Sequence, residues 1–314
     1  MVKVFAPASI GNVSVGFDVL GMAVTPISGE LLGDTVEIDL AENGISELNC
    51  IGSFKDVLPP NKEENIVWHA LQLFEQQLAD KSIAVSAVSM TLNKNMPVGS
   101  GLGSSACSIV AALVALNEFY QQPFNQQELL FMMGAMEAKI SGSLHYDNVA
   151  PCFIGGLQLM SSDPKVISRT LPSFDELYWV MAYPGIEMST KAAREALPED
   201  YSRGQLIEFG QNLASFIDAC HRQDCDSAMQ SIVDVVAEPY RCNLLPKFKE
   251  NKDYVLANGA KAAGISGSGP TLFVACDDLQ KAQQLSQYLQ QNYLQSNTGF
   301  IHICKTDTAG ARVI

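Results

Sequence analysis

The feature that most constrains the fold of this chain is a glycine-rich stretch followed at once by a long apolar run. Residues 97–106 read Pro-Val-Gly-Ser-Gly-Leu-Gly-Ser-Ser-Ala, and Ala, Val and Leu dominate residues 106–116. Glycines favour a tightly bent loop because they have no Cβ, and the run after them favours a buried helix. We therefore predict a loop that leads directly into a helix ending near Tyr120, with Ser104 or Ser105 as its N-cap.

A junction between a glycine loop and a helix is a ready anion-binding site. The first N–H groups of the helix have no partner within it and carry partial positive charge, and glycines let the backbone bend around a phosphate. The spacing matches neither G-x-x-x-x-G-K-[ST] nor G-x-G-x-x-G. A tight turn before a core helix is the alternative interpretation. We favour phosphate binding because residues 83–92 alternate as a strand and supply the strand–loop–helix context.

Composition and charge narrow the class of protein. The 314 residues are 47% hydrophobic and 17% charged, which is typical of one large or two modest globular domains. The net charge of −14 argues against nucleic acid or an anionic membrane as a partner, since their phosphates repel such a surface. The N-terminus has no apolar core of signal-peptide length, and no stretch reaches the roughly 18 uncharged apolar residues of a membrane span. Eight scattered cysteines without C-x-x-C predict reduced thiols of a cytoplasmic protein.

Hydrophobic periodicity predicts a mixed α and β chain with a division near its middle. The first half shows helical spacing at residues 65–78 and 126–140 and strand-like patterns at residues 2–7, 34–40, 83–92 and 153–160. A polar stretch at residues 161–175 marks a domain boundary. The second half predicts strands at residues 177–183 and 299–305 and helices at residues 204–222, 225–236, 247–258 and 278–293.

Polar side chains occur in three places that suggest a site. Asn12 and Asp18 lie in a loop of small and apolar residues, where a carboxylate is costly to bury without a partner. Glu137 lies near the end of the helix predicted over residues 126–140, where an acid opposes the helix dipole. Residues 141–151 form a polar loop. Each of these groups binds a polar ligand under one interpretation, and caps a turn or faces solvent under the other.

Three motifs in order along the chain resemble a known family. Residues 6–18 read Ala-Pro-Ala-Ser-Ile-Gly-Asn-Val-Ser-Val-Gly-Phe-Asp, and residues 264–270 read Gly-Ile-Ser-Gly-Ser-Gly-Pro. Together with residues 97–106, they resemble the three motifs of the GHMP small-molecule kinases. Within that family, residues 145–152 and 238–246 are similar to the bacterial homoserine kinases.

The resemblance implies an α+β fold of two domains with ATP between them. The expected domains are a left-handed βαβ, ribosomal-protein-like GHMP domain at residues 1–165 that binds ATP, and a ferredoxin-like domain at residues 166–314. The implied activity is ATP-dependent phosphorylation of the hydroxyl of L-homoserine to O-phospho-L-homoserine in threonine biosynthesis. A cytoplasmic homodimer with ATP and Mg²⁺ is expected.

The same resemblance implies a role for individual residues. The nucleotide contacts are expected from Lys94, Pro97, Val98, Gly99, Ser100, Gly101, Leu102, Gly103, Ser104, Ser105, Ala106 and Cys107. The expected Mg²⁺ ligands are Glu137 and the hydroxyl of Ser105, with Ser104 as the alternative to Ser105. The substrate contacts are expected from Asn12, Asp18, His145, Asn148, Arg194, Arg241 and Gly267.

Within that substrate set, the two arginines would bind a carboxylate and Asp18 an ammonium. Catalytic roles are implied for Asp147, Asn148 and Thr190. Asp147 is either a general base or a cap of its loop, because the proton of the hydroxyl can also pass to the phosphate itself.

Two other functions remain open. One is phosphorylation of a different small alcohol, such as mevalonate, which also carries a carboxylate. Asp18 together with both arginines favours an amino acid instead. The other is a relative without activity that binds ligand and regulates a partner. The presence of Ser104, Ser105 and Glu137 argues against it, because such a relative is expected to lose them.

Overall fold

The protein is described here from a computed structural model that covers residues 1–163 and 165–314. Its strands are β1 (Val2–Pro7), β2 (Ser9–Gly11), β3 (Leu20–Pro26), β4 (Gly33–Leu40), β5 (Glu47–Ile51), β6 (Val88–Asn93), β7 (Leu157–Met160), β8 (Ser168–Leu171), β9 (Tyr178–Tyr183), β10 (Ala262–Ile265), β11 (Leu272–Cys276), β12 (Phe300–Thr306) and β13 (Arg312–Val313). Its helices are α1 (Ile66–Asp80), α2 (Ser104–Phe119), α3 (Gln126–Ser141), α4 (Val149–Ile154), α5 (Thr190–Glu195), α6 (Arg203–Arg222), α7 (Cys225–Gln230), α8 (Glu238–Arg241), α9 (Phe248–Ala257) and α10 (Leu279–Asn292).

The first sheet supports the glycine loop. Its five strands lie in the order β13-β1-β4-β6-β5, and every pair is antiparallel except β5 with β6. Helix α1 links these two parallel strands into a βαβ unit. The left-handed crossover expected for this unit stays a prediction. Helix α2 packs on β1 and β4 and is buried on almost every side. This explains why its sequence is apolar all round and shows no polar, solvent-exposed face.

The second sheet joins the two halves of the chain. Strands β9 to β12 lie in the order β10-β11-β9-β12, with α6–α9 before β10 and α10 before β12. This β-α-β-β-α-β arrangement is the ferredoxin-like one that was expected. Beyond β12 the sheet continues into β3, β7 and β8, and β13 returns to pair with β1. The halves therefore exchange strands across the predicted boundary.

Two apolar cores hold these layers together. The larger lies between the first sheet and α1, α2 and α3, where the buried stripe of α1 is Val67, Ala70, Leu71, Phe74 and Leu78. The smaller lies between β9–β12 and helices α9 and α10. Each fully buried large apolar side chain stabilises the fold by about 1.5–3 kcal/mol. Every helix within the described residues is too short or too polar to span a bilayer.

Most predicted elements are confirmed, and the errors are local. The strand expected over residues 83–92 begins only at Val88. The strand expected over residues 153–160 is wrong in its first part, because α4 ends at Ile154 and β7 starts at Leu157. The helix expected over residues 225–236 ends at Gln230. In each case, the hydrophobic pattern extends beyond the residues that form the regular element.

Candidate active site

Most of the residues singled out in the sequence meet in one cleft of about 360 Å³. The predicted site residues that line it are Asn12, Asp18, Lys94, Val98, Gly99, Ser100, Gly101, Gly103, Ser104, Ser105, Glu137, His145, Asp147, Asn148, Thr190, Arg194, Arg241 and Gly267. Leu102, Ala106 and Cys107 lie fully buried in the core beneath the loop. Their side chains therefore support the loop from below, which leaves any ligand contact to their backbone.

The glycine loop has the backbone that its sequence requires. Gly99, Gly101 and Gly103 have φ angles of +62°, +79° and +68°, a region that residues with a Cβ avoid. Gly103 is the N-cap of α2, which corrects the prediction of a serine cap. Ser104 instead donates its hydroxyl to the carbonyl of Met96 at 3.1 Å. Because glycine has no side-chain oxygen, the N-cap residue does not accept a hydrogen bond from the first N–H groups of α2. Such N–H groups at a helix start are the donors that bind anions.

The second half of the chain holds the carbonyl groups of this loop. The Met188 amide donates to the Gly99 carbonyl at 2.9 Å. The Thr271 hydroxyl donates to the Ser100 carbonyl at 2.7 Å, and the Ser266 hydroxyl to the Gly101 carbonyl at 2.6 Å. In a trans peptide the C=O and N–H point in opposite directions. These three bonds therefore turn the following N–H groups away from the second half.

A hydroxyl and a carboxylate meet where α2 begins. Ser105 donates its hydroxyl to Glu137 Oε1 at 2.8 Å, and Glu137 is buried on α3. Burial raises the pKa of Glu137, and the hydrogen bond from Ser105 offsets this only in part. The two side chains offer oxygen atoms of the kind that Mg²⁺ prefers. The described residues contain no group of three or more His, Cys, Asp or Glu that would hold a metal without further ligands.

The polar loop before α4 forms a hydrogen-bonded chain. His145 Nδ1 lies 3.1 Å from Asp147 Oδ1, and Asn148 donates to Asp147 Oδ2 at 3.1 Å. The hydroxyl of Ser9 donates to Asn148 Oδ1 at 2.9 Å. Burial by itself would lower the pKa of His145, but the hydrogen bond and charge of Asp147 and the charge of Glu137 outweigh it and raise this pKa. Both oxygens of Asp147 are thus engaged.

The amino-terminal motif places Asn12 and Asp18 in a strained turn. Both residues have positive φ angles, +67° and +58°, as have Val13 and Ser14 between them. Such angles are costly for residues with a Cβ and are common at functional sites. The side chain of Asn12 holds the turn, because its oxygen accepts the Asp18 amide at 2.8 Å and its nitrogen donates to the Gly267 carbonyl at 3.1 Å.

Two arginines and one aspartate line the same end of the cleft. Asp18 and Arg194 form a bidentate pair in which both N–O distances are 3.1 Å. Arg241 is buried and donates to the carbonyls of Ala193 and Gly267 at 2.9 and 3.1 Å. The guanidinium carbons of both arginines lie within 6 Å of the Phe17 ring centre, at 5.9 and 5.4 Å. This end of the cleft therefore carries one more positive than negative charge.

Sequence reasoning missed three residues that shape the site, namely Asp34, Ser266 and Thr271. Lys94, predicted to contact phosphate, has a buried ammonium that is paired with Asp34 instead. Asp34 at the start of a strand of buried residues was a usable signal, because a buried charge needs a partner. Ser266 and Thr271 gave no such signal, since small hydroxyl residues are ordinary in glycine-rich turns.

Two protein-family models and several solved structures match this chain. The family model of the GHMP kinases N terminal domain matches residues 65–156, and that of the GHMP kinases C terminal domain matches residues 203–295. A homoserine kinase from Cytophaga hutchinsonii is similar over 100% of this chain and 97% of its own, with 32% identity and a TM-score of 0.89.

More distant solved structures share the fold alone. A mevalonate kinase from Methanococcus jannaschii is 16% identical over 97% of this chain and 98% of its own, with a TM-score of 0.71. A phosphomevalonate kinase from Streptococcus pneumoniae is 13% identical over 100% and 98%, with a TM-score of 0.71. With two family models in order and a relative at 32% identity over the whole chain, this protein belongs to the GHMP kinases.

Proposed function

We propose that this GHMP kinase transfers the γ-phosphoryl group of ATP to the hydroxyl of L-homoserine, and that the product, O-phospho-L-homoserine, serves threonine biosynthesis. The observation that carries the proposal is the joining of two subsites in one cleft. A glycine loop at a helix N-terminus lies at one end, and Asp18 with Arg194 and Arg241 at the other. The similarity to a homoserine kinase at 32% identity supports the same substrate.

The charges at the second subsite suit a zwitterion. A carboxylate that binds the two arginines competes with Asp18 for Arg194, since these side chains already form a bidentate pair. An ammonium on the same ligand restores a partner to Asp18. A hydroxy acid without an ammonium would leave Asp18 without that compensation. An amino-acid alcohol is therefore favoured over mevalonate.

ATP would place its phosphates against the glycine loop. The N–H groups of Ser100 and Gly101 point away from the second half of the chain, because its donors hold the carbonyls of residues 99 and 100. The Leu102 N–H points the same way but already donates to the Ser100 hydroxyl at 3.4 Å. Backbone N–H groups in such a loop bind phosphate oxygens without a lysine. Thr190, the first residue of α5, lines the cleft beside this loop and is our candidate for a further phosphate contact.

The residues at the start of α2 fit a magnesium ion. Ser105 and Glu137 offer a hydroxyl and a carboxylate oxygen within 2.8 Å of each other. Mg²⁺ commonly takes its other ligands from phosphates and water, so a pair of protein ligands is sufficient. When bound, the ion would neutralise charge on the transferring phosphoryl group.

The hydroxyl proton needs an acceptor, and Asp147 is poorly placed to be one. Its oxygens already bond to His145 and Asn148, and only 3% of the residue is exposed. We assign it to orienting these two neighbours, which in turn would position the hydroxyl of the substrate. The proton then passes to the phosphoryl group itself.

The homodimer and the cytoplasmic location stay predictions. Light scattering during gel filtration tests the oligomeric state.

The direct test is ADP release with Mg²⁺ and ATP in the presence of L-homoserine, mevalonate or galactose. We expect turnover with L-homoserine only, and its loss in Glu137→Gln. Turnover with another alcohol would retain the ATP site but refute the amino-acid subsite. Binding of ATP without turnover on any of the three would refute the proposed reaction and favour a regulatory relative.

A further inference from the structure

A buried ion pair lies directly beneath the glycine loop and takes no part in the proposed chemistry. Lys94 Nζ lies 2.5 Å from Asp34 Oδ2, and the exposed fractions of the two side chains are 2% and 0%. Asp34 belongs to β4, and Lys94 follows directly after β6. The pair thus joins two neighbouring strands of the first sheet at the edge where the loop begins.

The carboxylate of this pair holds the start of the loop. Asp34 Oδ1 accepts the backbone N–H groups of Asn95 and Met96 at 2.8 and 2.9 Å. These two residues immediately precede Pro97, where the glycine-rich stretch begins. Hydrogen bonds to a charged acceptor are stronger than neutral ones. The carboxylate therefore fixes the direction in which the chain leaves β6.

The ammonium of the pair holds the end of the loop. Lys94 Nζ donates to the Ser104 carbonyl at 2.8 Å and to the Ser108 hydroxyl at 2.9 Å. Ser108 in turn donates to Asp34 Oδ2 at 2.7 Å, and Ser104 donates to the Met96 carbonyl at 3.1 Å. The start of the loop, its end and the ion pair form a closed ring of hydrogen bonds.

Stability alone is a weak reason for such a pair. Desolvation of two charges offsets most of their attraction, and apolar replacements of buried pairs are often neutral or stabilising. What apolar side chains cannot supply is this set of directed bonds to both ends of one loop. The loop between them carries the N–H groups assigned to phosphate, so its span and direction decide whether those groups converge on one anion.

We propose that Asp34 and Lys94 are positioning residues that fix both ends of the glycine loop in the conformation that binds phosphate. Lys94 acts through the Ser104 carbonyl and does not touch the nucleotide. The inference rests on the proposed binding of ATP by this loop, and it is independent of which alcohol is phosphorylated.

The test replaces the pair with apolar side chains of similar size, in Asp34→Leu/Lys94→Met. Calorimetry with a non-hydrolysable ATP analogue gives the nucleotide Kd, and thermal unfolding gives the stability. We expect a Kd weakened about 10- to 100-fold, the cost of misplacing binding groups by about 1 Å. The Kd of the alcohol substrate should stay within about 2-fold of wild type, because no bond of the ring reaches that subsite.

Leu285→Ala is the matched control, because it removes a buried side chain from the second core and leaves the loop intact. A nucleotide Kd that changes no more in the double variant than in this control, at matched loss of Tm, would overturn the proposal. If the double variant does not fold, Ser108→Ala replaces it. We then expect a loss of about 3- to 10-fold in nucleotide affinity from one missing hydrogen-bond bridge. No loss in Ser108→Ala would also overturn the proposal.

The two proposals fail separately. If L-homoserine is not phosphorylated, the nucleotide Kd still reports on the loop. If neither the wild-type protein nor its variants bind the ATP analogue, the assignment of the loop to phosphate fails, and the positioning role fails with it.

Discussion

A methyl group added to the glycine loop tests whether its conformation is needed for phosphate transfer. In Gly101→Ala the new Cβ would lie 2.3 Å from the Ser266 carbonyl oxygen and 2.8 Å from the Gly269 carbonyl oxygen. Both contacts are with backbone, which cannot rotate away as a side chain can. The φ angle of +79° at this position is a second obstacle for alanine.

The size of the effect follows from these distances. The Cβ must move by about 1 Å to reach the 3.4 Å of ordinary van der Waals contact with Ser266. A displacement of about 1 Å in a binding group costs about 10²-fold in rate, or about 2.7 kcal/mol of transition-state stabilisation. The positive φ adds about 1–3 kcal/mol of strain to the folded state. We therefore expect both a lower kcat/KM for ATP and a lower Tm.

Gly29→Ala separates the two contributions. Gly29 has a φ angle of +83°, and a Cβ there would meet no atom within 4 Å. This control should lose stability from the same backbone strain and keep the kcat/KM of the wild type. Steady-state kinetics with varied ATP and thermal unfolding measure both variants. Equal kcat/KM in Gly101→Ala and Gly29→Ala would refute the argument that the loop is held against the second half of the chain.

The remaining predictions concern the cation ligand, the substrate ammonium and pH. Glu137→Gln should remain folded, because the amide oxygen still accepts the Ser105 hydrogen bond. It should lower kcat by about 10²-fold through loss of the cation ligand. A kcat equal to that of the wild type would exclude the metal role of Glu137. Asp18→Asn should raise KM for the amino-acid alcohol about 10- to 100-fold and leave KM for ATP unchanged, since it loses a charged acceptor at one subsite only. Burial lowers the pKa of His302 below its ordinary 6.5, with a partial offset from Glu30. The stability that neutral His302 contributes is therefore present above pH 6.5 and is lost as pH falls through the lowered pKa. Between about pH 7.5 and pH 5, the Tm of the wild type should fall more than that of His302→Gln, and an equal fall would contradict the assignment.

Local sequence was sufficient where one segment carries the whole signal. Helix α2 follows its glycine loop as predicted, because the run after Gly103 is long and rich in Ala and Leu, which are strong helix formers. The resemblance also grouped residues that the cleft brings together from distant parts of the chain, such as Asp18 and Arg194, which are 176 positions apart. Neither periodicity nor spacing would have paired them.

What the sequence did not reveal depends on contacts between distant segments. Strand exchange between the halves, with β3 beside β12 and β13 beside β1, leaves no local pattern, because the sequence of one strand does not specify which strand lies beside it. The pairing of Lys94 with Asp34 is a second case. A lysine next to a phosphate loop suggests a phosphate contact, and only the packing of β4 beside β6 shows that a carboxylate already takes its charge.

The central claim is that one cleft joins a phosphate loop to a subsite for a zwitterion. The most direct measurement is kcat/KM for L-homoserine beside two analogues, 4-hydroxybutyrate without the ammonium and 3-aminopropan-1-ol without the carboxylate. Asp18 and Arg194 are half-buried and Arg241 is buried. A site built to pair with both charges of its substrate rejects an analogue that lacks one of them, so we predict a loss of at least about 10²-fold for each of the two. A kcat/KM for 4-hydroxybutyrate equal to that for L-homoserine would contradict the account, because Asp18 would then have no part in recognition.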